Sequence, residues 1–318
     1  MEKKKSMERF AAVLAIILPI IILMGFGMLS NKRKWVSADS IGEIKGILTK
    51  ICIPALVFNT FYSTEFSSSV AMIVLIMAVF TVIAGLLGIA ANKVLKIEQS
   101  FMPYLCTTIE GGMLGYALYI LLFGEENLYH MGFIDLGNAI IMFPVLLTML
   151  RLRGQGELNI GLILENVITP INVAIAAGLV INLTGLGAAI SASAGGLVLE
   201  ETLSYISKPT SALILICVGH GLDFSKVRWG ETLKTMVVRI LIFAVFGLMA
   251  WKLVKGLFPG DAMYEYAVIL GFALPPTFMY SACTKGGDEE AYVGSVLAVY
   301  TVITLIAFCI LAWNATGL

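Results

Sequence analysis

The sequence predicts an all-α, polytopic membrane protein of ten transmembrane helices. Three observations carry that reading: an apolar excess, its division into spanning-length segments, and an echo between the two halves of the chain. Of 318 residues, 59% are hydrophobic and 13% charged, with a mean hydropathy of +0.93. A soluble domain carries roughly 45–50% apolar and about 25% charged residues. No aqueous core absorbs such an excess, so lipid is the solvent for much of the surface. Lys+Arg and Asp+Glu both number 21, which leaves no basic surplus for nucleic acid.

Segments of about 17–25 apolar residues are long enough to cross a bilayer. In the first half they fall at 10–30, 44–61, 70–91, 101–123 and 131–150. In the second they fall at 168–186, 199–221, 236–256, 263–284 and 292–313. The first, preceded by Lys3, Lys4, Lys5 and Arg9, imitates a signal peptide. It is too long for one and lacks a small-x-small cleavage site, so a retained first helix is expected. Linkers such as "NKRKW", "NKVLKIE", "RLRGQGE" and "FSKVRWGE" hold most of the charge. "GLGAAISASAGG" (185–196) reads as a flexible linker, without the Lys-Ser/Thr of a phosphate loop, and "GGDEE" (286–290) as a solvated loop. Cys52, Cys106, Cys217, Cys283 and Cys309 stand singly beside apolar residues, so buried thiols are expected. With both termini outside, thirteen basic residues lie inside and seven outside, with Arg239 in a span. That bias favours a cell-membrane protein with both ends out, although the basic amino-terminal tail opposes it.

Five spans per half would place two repeats, 1–150 and 151–318, upside down relative to one another. Pro54 in "KICIPALVF" echoes Pro209 in "ISKPTSALI", and "TTIEGGMLGYAL" echoes "GFALPPTFMYSA" in the corresponding ninth span. Gly111, Gly112 and Gly115 weaken the fourth helix, and Pro275-Pro276 break the ninth. Backbone groups freed at mid-depth cannot face lipid; they line a cavity or bond to protein. Broken helices at matching positions of inverted repeats point to a transporter binding site. Their amino ends suit an anion and their carboxyl ends a cation.

Taken with "TKICIPALVF", "EGGMLGYAL" and "ILGFALPP", the whole chain resembles the auxin efflux carrier family, which includes bacterial malate and malonate permeases. The resemblance implies two inverted five-helix repeats whose broken fourth and ninth helices cross. It further implies secondary transport of small organic anions such as mono- or dicarboxylates, and homodimers. The family's fourth-helix crossover reads Gly-Asn-x-Gly-Phe-x-Gly-Leu-Pro, and Ile109 to Ala117 stand there in this chain. Glu110 replaces the asparagine and Ala117 the proline, and a fixed carboxylate repels the family's usual anion.

An acid at mid-membrane is a functional hypothesis in itself. Desolvation favours its neutral form, so Glu110 is expected to carry a proton, to meet a coupling Na+, to touch a polar or cationic substrate, or to pair with Arg239. Arg239 alone would snorkel to the interface. Thr107, Thr108 and Thr277 flank the breaks, and Asn59 ends the second span; each can line a polar pocket or bond back to its own helix. Lys208, beside Pro209, is a candidate counter-charge, and His220 a candidate gate or proton path. Two histidines in all supply no metal-ligand cluster, and no nucleophile–base set supports an enzyme. No cofactor is expected beyond a coupling H+ or Na+. The expected function is proton- or sodium-coupled carriage of a small organic anion. The rivals are a carrier of a neutral or cationic metabolite, made credible by Glu110, and a non-transporting membrane sensor.

Overall fold

The computed structural model describes residues 2–64, 66–97, 99–151, 160–225 and 227–316. Among these the secondary structure is helical throughout. Six stretches of the described residues are long and apolar enough to cross a membrane: Arg9–Lys32, Ser68–Leu95, Glu125–Leu146, Ala194–Gly221, Trp229–Leu257 and Gly287–Ala315. Gly111–Phe123, Pro170–Leu183 and Ala262–Ala273 are shorter apolar helices. The protein is a multi-pass, all-helical membrane protein. Leucines on the outer faces, such as Leu75, Leu86, Leu241 and Leu248, stay exposed where lipid would meet them.

In chain order the helices are α1 (Glu2–Lys32), α2 (Ala38–Ile47), α3 (Ile53–Ser63), α4 (Ser68–Leu95), α5 (Met102–Leu105), α6 (Tyr116–Phe123), α7 (Leu128–Ile141) and α8 (Thr148–Arg151). After them come α9 (Ile160–Val167), α10 (Pro170–Leu183), α11 (Leu186–Ser191), α12 (Ala194–Ser207) and α13 (Thr210–Gly221). The last four are α14 (Trp229–Leu257), α15 (Ala262–Ala273), α16 (Met279–Ala282) and α17 (Gly287–Ala315).

Proline explains two of the irregularities. Pro54 cannot donate to residue 50 and its ring would crowd that carbonyl. The chain answers with a π-helical turn, Leu48–Cys52, that joins α2 to α3 without ending the helix. Pro209 instead separates α12 from α13 as the cap of the latter. Two expected loops are helical. "GGDEE" places Asp288, Glu289 and Glu290 in the first turn of α17, where the helix dipole favours acids. The 185–196 run contains α11 and the start of α12, whose cap Ser193 accepts from Gly196 N. Most of the "RLRGQGE" linker, from residue 152 on, and Lys226 of "FSKVRWGE" lie outside the described residues.

Close helix approach depends on small residues, as it does generally in lipid. A Cβ added at Gly27 would lie 2.2 Å from Ile216 O, and one at Gly219 2.1 Å from Met24 O. α1 and α13 therefore touch backbone to backbone. Aromatic contacts knit α4 to α14 and α15: Phe80 stacks on Phe246 at 4.8 Å, and Phe243 meets Phe272 edge-on at 5.5 Å. Arg9 donates to the Trp313 carbonyl, bringing the start of α1 beside the end of α17. Cys52, Cys106 and Cys217 are buried, and Cys283 and Cys309 partly so.

Candidate functional site

Two interruptions meet inside the protein. The first runs from Cys106 to Glu110, between α5 and a π-helical turn, Gly111–Gly115, that leads into α6. The second, residues 274–278, separates α15 from α16. Pro275 and Pro276 have no N–H to give, so the contact uses a proline carbonyl: Glu110 N donates to Pro275 O at 2.8 Å. Thr277 N donates to Thr108 Oγ1 at 3.3 Å, and Thr108 Oγ1 donates to the Tyr280 hydroxyl at 3.0 Å. Asn138 of α7 serves the remaining peptide, accepting from Ile109 N at 3.3 Å and donating to Ile109 O at 3.4 Å. Freed backbone groups are thus satisfied by the opposite break or by a side chain, as a water-poor interior requires.

The two charged residues at this meeting point divide the helix ends between them. Glu110, 5% exposed, accepts from Met113 N at 3.3 Å through Oε1 and from Phe278 N through Oε2. One carboxylate so caps the amino ends leading into α6 and α16. Arg239 of α14 is fully buried; its Nη1 donates to Leu105 O at 2.8 Å and its Nη2 to Leu274 O at 2.9 Å. One guanidinium so caps the carboxyl ends of α5 and α15. Each charge has the sign that its pair of dipole ends favours. Phe243 and Tyr300 flank the guanidinium at 3.8 and 4.8 Å from their ring centres. Arg239 neither snorkels nor pairs with Glu110, because the four backbone ends compete better for both.

A cavity of about 330 Å³ opens beside the crossing. That is at the lower end of small-molecule sites, roughly 300–1,000 Å³. Glu110, Gly111, Gly112, Thr277 and Ser281 line it from the two breaks, and Lys45, Thr49, Asp135 and Asn172 line it from α2, the turn after α2, α7 and α10. Met142, Phe143, Ile171 and Ile175 supply an apolar wall. Gly111 is required by close approach: a Cβ there would lie 2.2 Å from Asp135 Oδ1. A Cβ at Gly115 would lie 2.7 Å from Leu274 Cδ1 and 2.9 Å from Met131 Cε, the tips of side chains that can shift. Lys45 is near enough to Glu110 to interact electrostatically, and no direct ion pair joins them among the described residues.

The sequence-predicted residues therefore separate. Glu110, Gly111, Gly112 and Thr277 line the cavity, while Thr108, Pro275 and Pro276 are buried in the crossing. Thr107 turns away and donates to Pro103 O at 2.6 Å. Asn59 lines a different cavity of about 540 Å³, among Glu125, Glu126, Glu200 and Glu201. Lys208 is exposed, 4.4 Å from the Tyr205 ring centre. His220 is buried against Val36 O at 3.2 Å, on a helix end outside the cavity. Sequence reasoning passed over Lys45 and Asp135. A signal existed for Asp135, an acid between Ile134 and Leu136 in an otherwise apolar span.

No family model matches the chain. Over 244 residues, 74% of this chain and 75% of the other, it is 25% identical to an uncharacterized transporter of Methanothermobacter thermautotrophicus.

Proposed function

We propose that the protein is a secondary active transporter of a small organic anion, such as a mono- or dicarboxylate, driven by a proton or sodium gradient. The observation that carries this reading is the charge layout of the crossing cavity: Lys45 lines it together with two acids, Glu110 and Asp135. Lys45 with the hydroxyl of Ser281 offers donors to a carboxylate, and the apolar wall accommodates a short carbon chain. The acids make that binding conditional. At an effective dielectric of about 20, a like charge about 7 Å away costs an anion about 2 kcal/mol, roughly thirtyfold in affinity. A cation that neutralises one acid restores that affinity, and by linkage the anion tightens the cation equally. Coupling then follows from electrostatics, without covalent chemistry.

The architecture that suits this is ten crossings in two inverted repeats, 1–150 and 151–318, with the fourth and ninth broken and crossing. Support comes from the six long spans, the α2–α3 and α9–α10 pairs, and the meeting of the two breaks. The transporter of Methanothermobacter thermautotrophicus supports a general role in transport. Residence in the cell membrane with both termini outside follows the basic-residue bias.

A second reading, carriage of a neutral or cationic metabolite, is favoured by one observation: the amino ends at the crossing already hold Glu110. Proteoliposomes decide between them. Labelled malonate, malate and amino acids are offered under an imposed pH or sodium gradient. The expected result is saturable, gradient-driven uptake of a carboxylate, reduced at least tenfold in Lys45→Ala. Uptake of amino acids alone supports the second reading; specific binding without flux supports a sensor and contradicts both.

A further inference from the structure

We propose that Asp135 is the carboxyl that takes up and releases a proton at the crossing, while Glu110 is a fixed anion that holds the two breaks together. This deepens the transport reading and rests on it for what the proton drives; the proton site itself is testable without any substrate.

The two acids differ in what they are bonded to. Both oxygens of Glu110 accept backbone N–H groups, one from each break. A proton on either oxygen would face a donor and loosen the crossing, since a carboxylate accepts on both oxygens and a carboxylic acid is left with one good acceptor. Asp135 has no such restraint. It is partly buried at the cavity edge, lies against Gly111, and receives the Asn138 amide only at 3.5 Å, the limit of a hydrogen bond.

A second, independent feature gives Asp135 a partner whether or not it holds the proton. The Tyr116 hydroxyl, on a side chain 1% exposed, sits beside Asp135 and has no other partner among the described residues. A buried hydroxyl is costly without a partner, so the phenol needs one. A protonated Asp135 supplies one, because it becomes a donor next to an oxygen able to accept. The ionised form can instead accept from Tyr116. Either protonation state of Asp135 therefore has a partner in the phenol.

The charged and titratable groups facing Asp135 are few. Glu110 comes from the first break, Tyr116 from α6, and Lys45 lines the same cavity from α2. α4 packs on α7 where Val74, Met77 and Ala78 meet Gly137, and α3 packs on it through Phe61 against Phe133. α15 meets α7 near Ile134 through Gly271, while its Tyr264 contacts His130 one turn earlier on α7. Among the described residues Glu110 is thus the fixed negative neighbour, and the cavity offers a route by which a proton would reach Asp135.

The test is pH-difference infrared spectroscopy of the protein in lipid vesicles, with protons as the probe. On acidification the wild type is expected to gain a protonated-carboxyl band that is lost in Asp135→Asn and retained in Glu110→Gln. Asp135→Glu keeps a carboxyl and is expected to shift the midpoint of that band, which preserves the test where Asp135→Asn does not fold. A full band in Asp135→Asn, its loss in Glu110→Gln, or an unmoved midpoint in Asp135→Glu would overturn the assignment. Absence of flux in the wild type would defeat the transport reading and leave this spectroscopic result standing.

Discussion

Arg239→Met is expected to destabilise the protein more than any other single substitution at the crossing, by about 4 kcal/mol. The side chain sits at 0% exposure and supplies N–H donors to Leu105 O and Leu274 O. Leaving a buried acceptor without its charged partner costs about 1–3 kcal/mol, and here two are left at once. Methionine restores volume and the contact with Phe243 but no donor, so packing cannot offset the loss. Arg239→Lys is the informative control. A single ammonium lacks the planar fork that spans two carbonyls, so about half of the loss should remain. Equilibrium or thermal unfolding in a defined detergent measures both. A methionine variant as stable as the wild type would contradict the capping role.

Glu110→Ala is the second large effect, and two terms of opposite sign set its size. Removing the carboxylate orphans Met113 N and Phe278 N, at about 1–3 kcal/mol each. It also ends the repulsion with Asp135, which at moderate dielectric returns about 2 kcal/mol. The net loss is therefore about 2 kcal/mol, smaller than for Arg239→Met, where no such relief exists. Glu110→Gln keeps one acceptor oxygen and turns its amide toward the other N–H, so its stability should lie between alanine and the wild type. The same unfolding measurement checks the ranking. Alanine more damaging than Arg239→Met would show that repulsion from Asp135 is negligible.

Much of this protein is legible in its sequence, for identifiable reasons. Lipid demands long apolar segments, so spans such as 70–91 and 292–313 fall within single helices of the structure. Gly111, Gly112, Pro275 and Pro276 announce breaks because their backbone chemistry is local. Arg239 was not readable, since its partners at Leu105 and Leu274 are fixed by packing and not by spacing. The same limit misplaced His220, Lys208 and Asn59: a position along a span does not say which face of the helix it occupies. Lys45 was counted only toward orientation, although its place at the start of the second span carries it into the cavity. Pro54 reads in the sequence as a helix-breaking proline, but the sequence could not say that a π-helical turn would absorb it and leave the helix continuous.

Secondary transport of the proposed kind requires the cavity at the crossing to open to each side of the membrane in turn. Ser281 lines that cavity and is exposed, so it suits a reporter. In a background with all five native cysteines replaced, Ser281→Cys is labelled in sealed vesicles with a membrane-impermeant thiol reagent applied from one face or the other. The account predicts labelling from both faces, with a saturating carboxylate substrate slowing both. Labelling confined to one face under every gradient and substrate condition would contradict it.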